Sequence, residues 1–201
     1  MKYGIAFTKP NYDWKEGDNE VNKDILTSLS TSYQYKWAAK DAMREHVISG
    51  LYAKFHDDCT FNTIINWCGN CDRVTFNVGN GKETARIVNI LDVPFNRESD
   101  SEKKIKNGYV NYIRSRIQGK KCSIPYTFSS FGGIRFDSGN LSELGVLSII
   151  GFDNVYSDDG YQVPAMLVQS IKDFNWYIIH IDDMPYTLVE RIAKDNFNFG
   201  K

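Results

Sequence analysis

The feature that most constrains this chain is a change of hydrophobic period along it. Across residues 33–55, Ala39, Met43, Val47 and Leu51, joined by Ala42 and Ile48, recur at the three-and-four spacing of one helix face. A strand-like run, 2–8, comes before this segment, and strand-like runs follow it at 60–67, 73–78 and 84–93. Side chains on one strand face recur every two residues, whereas those on one helix face recur every 3.6. A strand, a long helix and then a strand pair predict an α+β domain. The expected arrangement is a ferredoxin-like or RRM-like antiparallel sheet with insertions. Ser32 is the expected helix cap, and Gly50 weakens the last turns.

The rest of the chain fits one domain, 1–201, in length. Residues 10–22 are polar and hold Gly17, as a loop would. Gly79-Asn80-Gly81 is a hairpin signal. Residues 96–108 are polar and Lys-rich, and they predict a long inserted loop. Beyond it the patterns predict a short helix at 109–118, strands at 124–128, 133–136 and 146–152, and a helix at 164–172 opened by Pro164. A strand at 176–181 and a last helix at 187–195 complete the expectation.

No basic region followed by an apolar core resembles a secretion signal, and no window approaches eighteen apolar residues. A cytoplasmic protein with four reduced cysteines is therefore expected, and no membrane partner. Aromatic residues reach 14%, which leaves some to spare for a binding surface. The net charge of −1 is unevenly spread. Residues 100–121 carry seven basic side chains against two acidic ones, and residues 137–201 carry ten acidic against four basic. Such polarity suits a head-to-tail oligomer or an anion-binding face.

Several groups of residues could carry chemistry. Lys36, Lys40 and Arg44 repeat every four residues, so they stack on one helix side, with Tyr33, Tyr35 and Trp37 beside them. A phosphate backbone would neutralise the stripe, and the aromatics could stack bases. Ser129-Ser130-Phe131-Gly132-Gly133-Ile134-Arg135 offers backbone N–H groups, two hydroxyls and a guanidinium to phosphate. Trp67-Cys68-Gly69-Asn70-Cys71 is similar to a thiol redox motif, which needs a helix to follow the first thiol. His56, Cys59, Cys68 and Cys71 have the spacing of a structural zinc site. His180, Asp182 and Asp183 could bind a metal, and Asp92, Glu102 and Lys104 loosely echo a metal-dependent nuclease. There is no Walker loop, nucleophile elbow or His-Glu-x-x-His.

Asn11-Tyr12, Gly17-Asp18-Asn19, Tyr33-Gln34-Tyr35 and the helix start Ala39-Lys40-Asp41-Ala42-Met43-Arg44 give the N-terminal third a family likeness. It resembles the backbone subunits of CRISPR effector complexes, in the RAMP superfamily. Phe131-Gly132-Gly133 resembles a glycine-rich loop of that superfamily, and 135–145 resembles a late strand and turn. The resemblance implies an RRM-like, nuclease-free subunit of an antiviral nucleoprotein complex. Such a subunit holds guide RNA by phosphate and stacking contacts and assembles with other subunits. Carried over, Lys36, Lys40 and Arg44 would face guide phosphates, with Trp37 stacking. Lys103, Lys104 and Lys106 would reach RNA or a neighbour. Arg114, Arg116, Ser130, Gly132, Gly133 and Arg135 complete the expected RNA-contact set. Two other classes stay open. One is a small inhibitor from a phage or mobile element that docks on another protein. The other is an enzyme or metal protein, either a metal-dependent nuclease or a thiol or zinc protein.

Overall fold

The computed structural model describes residues 1–18, 20–54, 65–68, 72–78, 81–93, 97–118, 133–135, 143–157 and 159–200. Among these, the strands are β1 (Lys2–Pro10), β2 (Asp24–Leu29), β3 (Ile65–Cys68), β4 (Arg73–Val78), β5 (Gly81–Ile90), β6 (Gly133–Arg135), β7 (Val146–Tyr156), β8 (Gln162–Ser170) and β9 (Trp176–His180). The helices are α1 (Lys36–Lys54), α2 (Asp100–Ile117) and α3 (Tyr186–Phe197). Short 3₁₀ turns occupy Glu20–Lys23 and Ile181–Asp183.

The chain is an α+β protein, but not a plain ferredoxin-like sheet. Seven strands run in the order β2-β1-β5-β9-β8-β7-β6, and the sheet curves into a nearly closed barrel. The sheet is mixed, because β5 and β9 pair in parallel through Asn89↔Tyr177 and Ile90↔Ile178. The β3–β4 ribbon takes the rest of that β5 edge. β2 closes toward β7, where the Leu29 N–H donates to Asp153 Oδ2 at 2.7 Å.

Alternation along the strands builds two kinds of core. Ala6, Leu26, Val88, Ile90, Ile150, Val155, Ala165, Leu167 and Ile178 point inward and fill the barrel. Their neighbours point outward and are covered by helices. Ile5, Phe7, Val74, Phe76 and Ala85 meet Met43 and Val47 of α1. Ile149, Phe152, Met166, Val168, Tyr177 and Ile179 meet Val110, Ile113 and Ile117 of α2 and Val189, Ile192 and Phe197 of α3. A bulge between Ile149 and Gly151 shifts the phase of β7. It turns Phe152 outward, and it brings Asp153 and Val155 round to the inner face and the β2 seam. Gly4 lies where the interior is tightest. A Cβ there would stand 2.6 Å from Ile178 Cδ1.

Three segments differ from the sequence reading, each for a physical reason. Residues 100–117 are helix, so the expected 96–108 loop is largely absent. Ser99 and Glu102 form a capping box, and the buried stripe includes Lys106, which hid the period. Residues 164–172 contribute a strand instead of a helix, because their apolar run is buried on both faces. Pro164 is tolerated since the β8–β9 register begins only at Ala165. α1 begins at Lys36, not at Tyr33, whose backbone exchanges hydrogen bonds with Tyr3 at 2.7 and 2.8 Å. The strand at 24–29 had no counterpart in the sequence reading. Among the described residues, no helix is long and apolar enough to cross a membrane.

Candidate ligand-binding mouth of the barrel

At one end of the barrel the inward-facing series turns from apolar to polar. Leu26 gives way to Asp24, Val88 to Arg86, Ile150 to Ser148, Leu167 to Gln169 and Ile178 to Trp176. Each pair is two residues apart, so strand alternation alone delivers the polar side chains to the mouth. They line a hollow of about 500 Å³, within the usual size of a small-ligand site.

Arg86 and Trp176 both line it. The guanidinium carbon lies 3.9 Å from the centre of the indole ring, a cation–π stack. Asp24 lines the same hollow. Burial pushes its carboxyl above the usual range, and the charges of Arg86 and Arg73 pull the other way. Lys23, at the rim, pairs with Glu20 and sits 4.4 Å over the Trp14 ring.

The β8–β9 turn shapes the opposite rim. Ser170 Oγ donates to Leu144 O at 3.0 Å and accepts the Lys172 and Asp173 N–H groups. Asp173 accepts from the Asn175 backbone and amide and from the Tyr177 hydroxyl. Burial would raise the Asp173 carboxyl, but these bonds hold it below the usual range. The network fixes Phe174 at φ 59°, left-handed backbone that a bulky residue rarely adopts. Its ring is left 71% exposed beside the mouth. Gln169 Nε2 donates to Phe174 O at 3.1 Å, which ties the rim to the wall.

A second hollow of about 260 Å³ shares Arg86, Phe174 and Trp176 with the first and extends to Tyr3, Asp72 and Lys36. It joins the mouth to α1. There Asp72 takes both stripe lysines, Lys36 on Oδ2 and Lys40 at 3.1 Å from Oδ1. Burial would raise the Asp72 carboxyl, but its bonds to Lys36 and Lys40 hold it low. Lys36, Lys40 and Arg44 each stand three residues before a buried side chain, namely Ala39, Met43 and Val47. The stripe therefore flanks the core and does not oppose it, which lets the two lysines reach Asp72. Arg44 is exposed. Tyr35 and Trp37 stack with ring centres 6.0 Å apart and planes 13° apart, and both are exposed.

The other predicted residues lie elsewhere. Lys103, Lys104 and Arg116 are exposed on α2, Lys103 within 3.6 Å of Asp100. Arg114 is half-buried and donates to Asn111. Lys106 is not an RNA-facing residue, because it is buried between Glu98 at 2.7 Å and the Met184 carbonyl at 3.2 Å. Gly133 and Arg135 belong to β6, where Gly133 pairs with the mouth residue Ser148. Ser130, Gly132, His56, Cys59 and Cys71 lie outside the described residues. Cys68 ends β3, and the next element is strand β4. Among the described residues, no helix follows Cys68 as a thioredoxin-type thiol needs. Glu102 accepts the Ser99 N–H and hydroxyl at 2.8 and 2.6 Å. Its carboxylate serves the helix cap, and the nuclease echo with Asp92 and Lys104 has no support. His180, Asp182 and Asp183 place one ligand atom each within 4.8 Å of the others and could hold an ion. His180 is the last residue of β9 and the two aspartates follow it in the 3₁₀ turn, at the strand end remote from Trp176.

The mouth residues Asp24, Arg86 and Trp176 escaped the sequence reading. Their signal is a polar or aromatic residue two positions from an inward apolar one, and it is readable only once the strands are known. Comparison with protein-family models, with characterised proteins and with solved structures finds no match to this chain.

Proposed function

We propose that this chain is a non-enzymatic RNA-binding protein that holds single-stranded RNA across the barrel mouth. The observation that carries the reading is the continuity of cation and aromatic groups. The Arg86–Trp176 stack, Phe174 and Lys36 line adjoining hollows, and Tyr35–Trp37 flanks Lys36. Single-strand binders combine basic grooves with stacking platforms in this way. One base enters the mouth against the Arg86–Trp176 pair, and Lys36, Lys40 and Arg44 attend the backbone that runs along α1. The N-terminal resemblance to CRISPR backbone subunits supplies the setting: guide RNA as ligand and other effector subunits as partners. The RRM-like sheet that this family implies is replaced here by the barrel, so the reading rests on the site and not on the fold.

The test is fluorescence anisotropy with a labelled oligouridine, single-stranded and as a duplex. Tight single-strand binding that weakens in Trp37→Ala supports the proposal, and a preference for the duplex counts against it. The second reading, an inhibitor docking on a protein, draws on the exposed Tyr35–Trp37 pair alone. It predicts that Trp37→Ala abolishes a protein complex while no RNA is bound.

A further inference from the structure

We propose that the barrel mouth is selective for guanine, with Asp24 reading the Watson–Crick edge of the base, a selectivity that rests on the single-stranded RNA reading of this site. Guanine is the one RNA base with two adjacent donors on that edge, N1–H and the N2 amino group, with the O6 acceptor beside them. A carboxylate accepts from both donors at once, as it does from a guanidinium fork. Adenine and cytosine set a ring-nitrogen acceptor next to their amino group. Uracil flanks its one N–H with two carbonyls. Each of these three directs a lone pair at the carboxylate, and an unmatched buried polar edge is costly.

The neighbours of Asp24 complete the match. Asp24 and Arg86 line the same hollow, and Arg86 acts on the Asp24 charge. A guanidinium beside the carboxylate is the donor that O6 requires, so one acidic and one basic residue cover the acceptor–donor–donor edge. Trp176 carries Arg86 at 3.9 Å and so fixes the guanidinium that meets O6, while Phe174, exposed in the lining of the same hollow, offers the ring on which a purine stacks. The other carboxylate at the rim, Glu20, is held by Lys23. The Asp24 position, two residues before the inward Leu26, puts its carboxylate in the barrel mouth in place of open solvent.

The experiment compares a labelled oligouridine with the same oligomer carrying one central guanosine, at low salt, on the full chain and on D24N. A bidentate base contact predicts about tenfold tighter binding of the guanosine oligomer by wild type. In D24N that ratio falls to about one, because an amide presents one donor and one acceptor. Thermal melting checks that D24N is folded. Competition by free GMP against UMP on wild type repeats the question without a variant, and GMP alone is expected to displace the oligomer. Equal binding of both oligomers by wild type overturns the guanine assignment and leaves the RNA reading standing. A preference that survives in folded D24N overturns the role of Asp24. Binding of neither oligomer overturns both the assignment and the RNA reading.

Discussion

Arg86 lays its guanidinium carbon 3.9 Å from the centre of the Trp176 ring, and the two residues stand on neighbouring elements, β5 and β9. The stack stands at the point where the barrel interior turns polar. Aromatic side chains at single-strand sites contribute about 1–3 kcal/mol by alanine substitution. Trp176→Ala is therefore expected to weaken single-stranded RNA binding by that amount, measured by anisotropy. Trp176→Phe keeps a smaller ring and should recover part of the loss.

Asp72 neutralises one of the two lysines it holds. Asp72→Asn removes the counter-charge from Lys36 and Lys40 and leaves both ammoniums for phosphate. RNA affinity is expected to rise, and the salt dependence to steepen by about 0.7 for each further phosphate that the freed lysines neutralise. The pair is partly exposed, so stability should change by less than about 1 kcal/mol. A structural role alone predicts the reverse, lower stability with unaltered RNA affinity.

The Lys106–Glu98 pair is the buried ion pair of α2, with side chains 10% and 7% exposed. Glu98 also accepts the Tyr186 N–H at the start of α3, so the pair ties α2 to α3. Lys106→Ala leaves a buried carboxylate without its cation, and about 3–5 kcal/mol of stability should be lost in chemical denaturation. Lys103→Ala, on the exposed side of the same helix, should cost almost none.

How much of this was legible in the sequence follows from which signals are local. α1 is announced by Ala39, Met43 and Val47, and α3 by a clean apolar stripe, because both helices bury one face against a sheet. The hairpin of β4 and β5 was equally plain, and its register pairs Val78 with Gly81. The second half of α2 was legible as the helix at 109–118, but its first half was hidden because a buried ion pair puts Lys106 at a core position. β8 was misread because a strand buried on both faces has no alternation to display. The barrel itself depends on a parallel β5–β9 pairing between residues nearly ninety positions apart, which no local pattern encodes. Of the candidate site, the α1 lysines and Trp37 were visible as a stripe. Asp72 and the mouth were not, since they meet only through that closure.

Acid should first stabilise this fold and then unfold it. Burial raises the carboxyls of Asp24, Asp153 and Asp182, the last helped by the charge of Asp183. A group whose folded pKa is raised takes its proton in the folded state first, so stability grows as pH falls through that value toward the ordinary 3.8. Asp72 and Asp173 are held low, so the stability they contribute above 3.8 is lost as pH falls below it. The melting temperature should rise modestly from neutral pH to a maximum above pH 3.8 and fall beyond it. A steady decline from neutral pH downward would contradict this balance. Protonating Asp24, which Arg86 and Arg73 face, should also erase the guanine preference at the acid end.

The most direct test of the central claim is to map where single-stranded RNA touches the chain. An oligomer with 4-thiouridine on both sides of a central guanosine is crosslinked to the protein by light, and the modified residues are found by mass spectrometry. RNA held across the mouth predicts crosslinks at Trp176 or Phe174 and at Trp37. Crosslinks confined to Lys103, Lys104 and Arg116 on α2, or none at all, would contradict it.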